Sequence, residues 1–240
     1  MLLLYAIIIT FFQHLFFSNA YKVDEFSFYY NNFANYGVQT EEEIHSFYLM
    51  CDKIAEEAHN NPFYCYKNVK IMFYDSYGLF TFFNPTASKS LGTTRTFLNY
   101  SVTALTKSDF KDLTLISSAK EDNKRNIITT LKHELTHAYR TNIVSFINMI
   151  IIPTWKEEGI CEVVASDSTY NIDEGIKRLI SKQPDSSNSY KYFTYRMCVL
   201  YLMKHDGLSF EEVIKDKRKQ KEILSELYSL PETELKKLLE

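Results

Sequence analysis

The segment from Asp122 to Arg140 constrains this chain more than any other. It repeats apolar residues with the period of a helix and carries the string His133-Glu134-Leu135-Thr136-His137. Ile127, Ile128, Leu131, Leu135 and Ala138 fall within a stripe roughly 100° wide, the width of a core-facing helix surface. At about 3.6 residues per turn the two histidines project about 140° from that stripe, on a face shared with Thr130 and Glu134. Spaced i, i+4, their imidazoles come to about 6 Å from each other, which suits two ligands of one tetrahedral Zn²⁺. Glu134 falls between them. A carboxylate beside such a metal can take the proton of a water whose pKa the ion has lowered to about 7, giving a nucleophile for carbonyl attack. A solvated surface pair of histidines is the plain alternative, and the downstream sequence weighs against it.

A hydrolytic zinc site keeps one position for water and takes three protein ligands. Glu158, in Trp155-Lys156-Glu157-Glu158-Gly159, is the candidate for the third. Pro153 cannot lie inside a helix, Thr154 is a good N-cap, and Glu157 three residues later completes a T-x-x-E capping box. Glu157 is therefore expected to cap the helix, which leaves Glu158 to point at the metal. Glu162 follows one turn later on the same face, placed either to accept a hydrogen bond from a ligating imidazole or simply to be solvated.

The H-E-x-x-H helix followed by W-x-x-E-G resembles the gluzincin metallopeptidases, the thermolysin-like and aminopeptidase-like clan, over about residues 122–207. The resemblance implies His133, His137 and Glu158 as zinc ligands, Glu134 as general base and Glu162 in the acidic place beside the metal shell. The zincin class with a third histidine is excluded, because the H-E-x-x-H-x-x-G-x-x-H pattern is not completed. Aminopeptidase-like members also place an oxyanion-stabilising tyrosine before nine residues, a leucine and a glycine turn. Tyr192, Leu202 and Gly207 keep that spacing, with Tyr190, Tyr195 and Tyr201 as competitors and core packing as the alternative for all four. The G-x-M-E-N segment with which those members hold a substrate amino terminus has no counterpart, so internal cleavage is favoured over amino-terminal trimming. The run Thr93–Val102 is a candidate for the edge strand on which an extended peptide would lie, or else an ordinary core strand.

The order of elements is α+β: a small, mostly antiparallel sheet followed by a helical, zinc-binding, zincin-like half. A helix is expected over 40–60 with Thr40 capping it, and strands over Val69–Tyr74, Leu79–Phe83, Thr93–Leu105 and Leu113–Ser117. Ser209-Phe-Glu-Glu212 and Ser229-Leu-Pro-Glu232 read as capping boxes of two C-terminal helices. With 240 residues, 45% hydrophobic, and only 6 Gly and 5 Pro, residues 21–240 are expected to make one globular domain, of one lobe or two. A net charge of −3 offers no field for nucleic acid. The basic run from Lys215 to Lys221 reads as a solvated helix face.

Residues 1–20 are apolar almost throughout and end in Ser18-Asn19-Ala20, the small residues a signal peptidase favours. A cleaved signal, a membrane anchor or a buried helix are the three readings, and the first two imply an exported (secreted or periplasmic) or membrane-anchored protein. Ile143–Ile152 is too short to span and reads as core or lipid-contacting. Cys51, Cys65, Cys161 and Cys198 form no second metal site and default to free thiols, with a Cys51–Cys65 bridge open in an exported chain. Asn99-Tyr100-Ser101 is a lone glycosylation sequon. The expected protein is a zinc metallopeptidase acting on peptides or proteins. The alternative is a catalytically silent gluzincin-like module for zinc binding or protein recognition.

Overall fold

The computed structural model describes residues 20–31, 40–87, 90–97, 100–116, 124–139 and 152–240. The calls on residues 1–19, on 143–151 and on the Asn99 sequon lie outside them. The chain is mixed α and β and divides into two compact units, Met1–Tyr139 and Arg140–Glu240.

The first unit is built on a sheet of β1 (Tyr21–Val23), β2 (Phe26–Asn31), β3 (Asn68–Tyr74), β4 (Gly92–Phe97), β5 (Tyr100–Asp109), β6 (Thr114–Ile116) and β7 (Lys124–Asn126). The sheet is mixed where a mostly antiparallel one is expected. β1–β2, β4–β5, β5–β6 and β6–β7 pair antiparallel, but β3 pairs parallel with both β2 and β5. Parallel neighbours need a crossover. α1 (Glu41–His59) supplies the one from β2 to β3, opened by the expected Thr40 cap with a full capping box to Glu43. β3 is consequently covered on both faces, and Ile71, Met72, Phe73 and Tyr74 are all buried. Phe47 of α1, Phe73 and Phe110 meet on one face at ring separations of 5.1 to 5.8 Å. Met72, Tyr74, Phe80, Phe83 and Ala104 form a cluster of their own.

Two expected strands take other forms. Leu79–Phe83 is part of α2 (Tyr77–Phe83), opened by Ser76, whose hydroxyl accepts from the Leu79 amide at 3.3 Å. A strand would have aligned Phe80 with Phe82. The helix aligns Phe80 with Phe83, and those two are buried while Phe82 is 52% exposed. Thr93–Leu105 is a hairpin, with Phe97 opposite Tyr100 and Gly92 opposite Leu105. β4 pairs with β5 alone among the described strands, which makes it an edge.

The helix carrying the histidines, α3, spans Ile127–Tyr139, five residues shorter at its start than expected because Lys124–Asn126 pairs with β6. Asn126 Oδ1 accepts from the amides of Ile128 at 2.8 Å and Thr129 at 3.3 Å and begins the helix there. Ile127, Ile128, Leu131, Leu135 and Ala138 are all buried, as the stripe requires. Each large side chain so buried contributes about 1.5–3 kcal/mol.

The second unit is helical among its described residues: α4 (Thr154–Ala165), α5 (Ile172–Ser181), α6 (Asn188–Leu200) continued by a π-turn at Tyr201–His205, α7 (Phe210–Lys215), α8 (Gln220–Leu227) and α9 (Glu232–Leu239). Ser209 and Glu212 form the expected box on α7. Ser229 does not cap α9, whose N-cap is Pro231. The basic run is a connector joining α7 to α8 rather than one helix face. Within it Arg218 is held by Asp206 at 2.7 Å and Asp216 at 3.0 Å. Lys156 of α4 is buried to 1% exposure, its ammonium paired with Asp216, and burial holds it below the usual lysine range. Cys51, Cys161 and Cys198 are buried free thiols, so the Cys51–Cys65 bridge does not form.

α4 lies against α6 across Gly159. A Cβ on Gly159 would stand 2.6 Å from the Tyr195 carbonyl oxygen and 2.6 Å from Val199 Cγ2, so the glycine of the W-K-E-E-G string is a packing requirement. Alanine normally strengthens a helix by about 1 kcal/mol over glycine. Gly159→Ala is expected to destabilise instead, by about 1–3 kcal/mol in urea unfolding. Gly78→Ala, where nothing lies within 4 Å of the added carbon, is expected to stabilise.

Candidate metal centre

In the first unit, α3 brings His133 and His137 to one side with their Nε2 atoms 3.2 Å apart. His133 is buried and His137 half-buried. Two nitrogens sharing one tetrahedral zinc at about 2.0–2.1 Å are separated by about 3.3 Å, so the pair has the spacing such an ion imposes. A hydrogen bond between two neutral imidazoles has a similar length, so the spacing alone does not select the ion. The face carrying them is polar, as expected, but it is not solvated: Thr130 and Glu134 are also buried.

Glu134 is fixed by the edge strand. Thr94 Oγ1 on β4 donates to Glu134 Oε2 at 2.7 Å and lies 3.1 Å from the Glu134 carbonyl. Thr94 stands opposite Thr103 in the β4–β5 register, with the two hydroxyls 2.9 Å apart. A hydroxyl has one proton to give, so Thr103 donates to Thr94 while Thr94 donates to the carboxylate. Gly92 makes room for the same group, since a Cβ there would meet Glu134 Oε1 at 2.9 Å. Neither contact was foreseen from the sequence. Its one trace was the reading of Thr93–Val102 as an edge strand, which β4 now bears out in part.

α3 is anchored from its other side within the same unit. Asn61 Nδ2 donates to Thr136 Oγ1 at 3.0 Å, Lys67 Nζ donates to the Ala138 carbonyl at 3.2 Å, and Lys132 pairs with Glu57 at 2.7 Å. These contacts set the rotation of the helix and with it the direction of both imidazoles.

Thr94→Val is expected to destabilise the chain by about 1.5–3 kcal/mol in urea unfolding, since it leaves the buried Glu134 carboxylate without this charge-assisted hydrogen bond. Thr94→Ser, which keeps the donor, should restore most of it. Unchanged stability in Thr94→Val would show that the carboxylate is held by other means.

In the second unit, α4 carries Glu157, Glu158, Cys161 and Glu162, the metal-ligand chemistry of that helix. Its start differs from the expected one. Pro153 is the N-cap, its carbonyl accepts from the amides of Lys156 at 2.9 Å and Glu157 at 3.2 Å, and no side chain caps the helix. Thr154 is thus the first helical residue and the T-x-x-E box does not form, because the rigid φ of Pro153 starts the helix one residue early. Glu157 loses the role assigned to it. Glu158 is half-buried and Glu162 is buried to 2% exposure.

Tyr192 lies in the second turn of α6, which Ser187 opens, rather than at its first residue. Tyr190, Tyr195 and Tyr201 are buried while Tyr192 is half-buried, with its ring 6.0 Å from that of Tyr195. Burial pushes the phenols of Tyr190 and Tyr201 up to about 12, so they stay protonated and packed. Gly207 adopts φ 72°, so the expected glycine turn after α6 is real.

Compared with protein-family models and with curated proteins, the chain matches none. Among the described residues no helix is long and apolar enough to cross a membrane. His133 and His137 on α3, and Glu157, Glu158 and Cys161 on α4, belong to residue groups that can hold a metal ion.

Proposed function

We propose that this chain is an exported or membrane-anchored zinc-dependent metallopeptidase of gluzincin type that cleaves internal bonds of peptides or proteins. The observation that carries the reading is the Nε2 pair of buried His133 and half-buried His137 at 3.2 Å, with Glu134 on the same helix held by Thr94 at 2.7 Å. Two imidazoles and one carboxylate fixed on one helix form the donor set and base of zinc hydrolases. By the sequence resemblance His133, His137 and Glu158 would hold the ion, which would supply Lewis-acid polarisation of the scissile carbonyl and acidification of water.

Glu134 takes the proton of the attacking water and passes it towards the leaving amine. Thr94 keeps its carboxylate oriented, so no rotamer search precedes the transfer. Glu162 orients a ligating imidazole through its second nitrogen. Tyr192 donates to the oxyanion that develops in the transition state. The substrate would lie extended along β4 by strand addition, the strand in which Gly92 leaves room for the Glu134 carboxylate. Residues 1–20 direct export or tether the protein to a membrane, and a chain of net charge −3 has no nucleic-acid partner.

The test is hydrolysis of an internally quenched peptide library by the full chain. Cleavage of amino-terminally blocked members is expected, with activity stopped by 1,10-phenanthroline and restored by zinc. Zinc-loaded protein inert towards the whole library would instead establish the silent binding module.

A further inference from the structure

We propose a second metal site in the first unit, formed by Asp24, Glu25 and His59 and taking a divalent transition ion of the zinc and manganese class. One ligand atom from each, two carboxylate oxygens and a ring nitrogen, lie within 4.8 Å of one another. Asp24 and Glu25 follow β1 at its turn into β2, and Asp24 holds the left-handed φ of 50° that this turn imposes. His59 is the last residue of α1, where unsatisfied helix carbonyls favour a positive charge.

The observation that points to an ion is Glu25. Its side chain is 5% exposed, and its Oε1 has no hydrogen-bond partner. The carboxylate accepts a hydrogen bond from the Tyr64 hydroxyl, while the Tyr139 hydroxyl is buried without a partner. After burial itself, the Glu25 carboxylate is the next influence raising both phenols. A buried carboxylate oxygen without a partner forfeits the hydrogen bonds it made to water, and a cation at this point would restore a contact. Asp24 and His59 are exposed, with the His59 ring 4.7 Å from that of Tyr64, while Glu25 is buried.

Two carboxylates and one neutral imidazole balance a divalent charge. The imidazole selects zinc or manganese over calcium, which takes six to eight oxygen ligands. The ion would pin the β1–β2 turn to the end of α1, a clamp independent of α3 and of any turnover.

The experiment compares zinc per chain, by elemental mass spectrometry after dialysis against micromolar Zn²⁺, in the full-length wild type, His59→Ala, Asp24→Asn and His45→Ala. His59→Ala is expected to carry one zinc fewer than wild type, whether or not α3 binds its own. Asp24→Asn should need at least about tenfold more zinc to fill the same site. His45→Ala, an exposed histidine on the same helix, should match wild type. The zinc-dependent rise in thermal midpoint should shrink in His59→Ala alongside the stoichiometry. Equal zinc in wild type and His59→Ala would overturn the site. A deficit in His45→Ala equal to that in His59→Ala would also overturn it, as adventitious surface binding.

Discussion

Replacing Glu134 by glutamine is expected to lower kcat by about 10²- to 10⁴-fold while zinc content stays at the wild-type value. The substitution keeps the shape of a side chain wedged between Gly92 and Thr94, so neither packing nor the imidazole pair is disturbed. It removes only the ability to take a proton. A carboxamide has no basic oxygen at neutral pH, and no second carboxylate on α3 can substitute, since Glu134 is the sole acidic residue between Ile127 and Tyr139. Steady-state kinetics on a cleaved member of the peptide library, beside elemental analysis and circular dichroism, separate the outcomes. Activity within about tenfold of wild type would remove Glu134 from the base role. Lost activity accompanied by lost zinc would give it a part in holding the metal instead.

Glu158→Gln is expected to weaken zinc binding by at least about 10- to 100-fold in competition with a chromophoric chelator, and Glu157→Gln to leave it nearly unchanged. The prediction is sharp because the two residues are adjacent, equally half-buried and chemically identical. A merely electrostatic contribution would make the two variants alike. Coordination makes them unlike, because only a carboxylate within bonding distance supplies a charged oxygen to the ion. The reverse order, with Glu157→Gln losing the metal, would exchange their roles. That exchange is a live outcome, because the capping duty that set Glu157 apart in the sequence is taken by Pro153.

Local signals in this sequence were read well where one element decided the result. Thr40 and Glu43 announce α1, Val69–Tyr74 is continuous enough to be a strand covered on both faces, and the stripe from Ile127 to Ala138 fixes which way the histidines point. The failures share a cause, which is that two conformations satisfied the same short pattern. Leu79–Phe83 is apolar enough for strand or helix, and the Ser76 hydroxyl settles it. Thr154 and Ser229 are good caps whose place is taken by a proline, Pro153 one residue before Thr154 and Pro231 two residues after Ser229. The contacts of Gly92 and Thr94 with Glu134 join residues about forty positions apart, and no local period carries such information. Parallel pairing around β3 was equally out of reach, because it is a property of the crossover rather than of the strand.

The hydrogen that Gly159 carries in place of a side chain acts as a gauge block for the second unit. Glu158 is its neighbour on α4, and Tyr192 sits one turn before the Tyr195 carbonyl that Gly159 touches on α6. The spacing between the proposed ligand and the proposed phenol is thereby ruled off against main chain, which does not change rotamer. Sequence drift elsewhere on these two helices can alter their surfaces without resetting that span. Drift at this one position would open the span by the width of a methyl group.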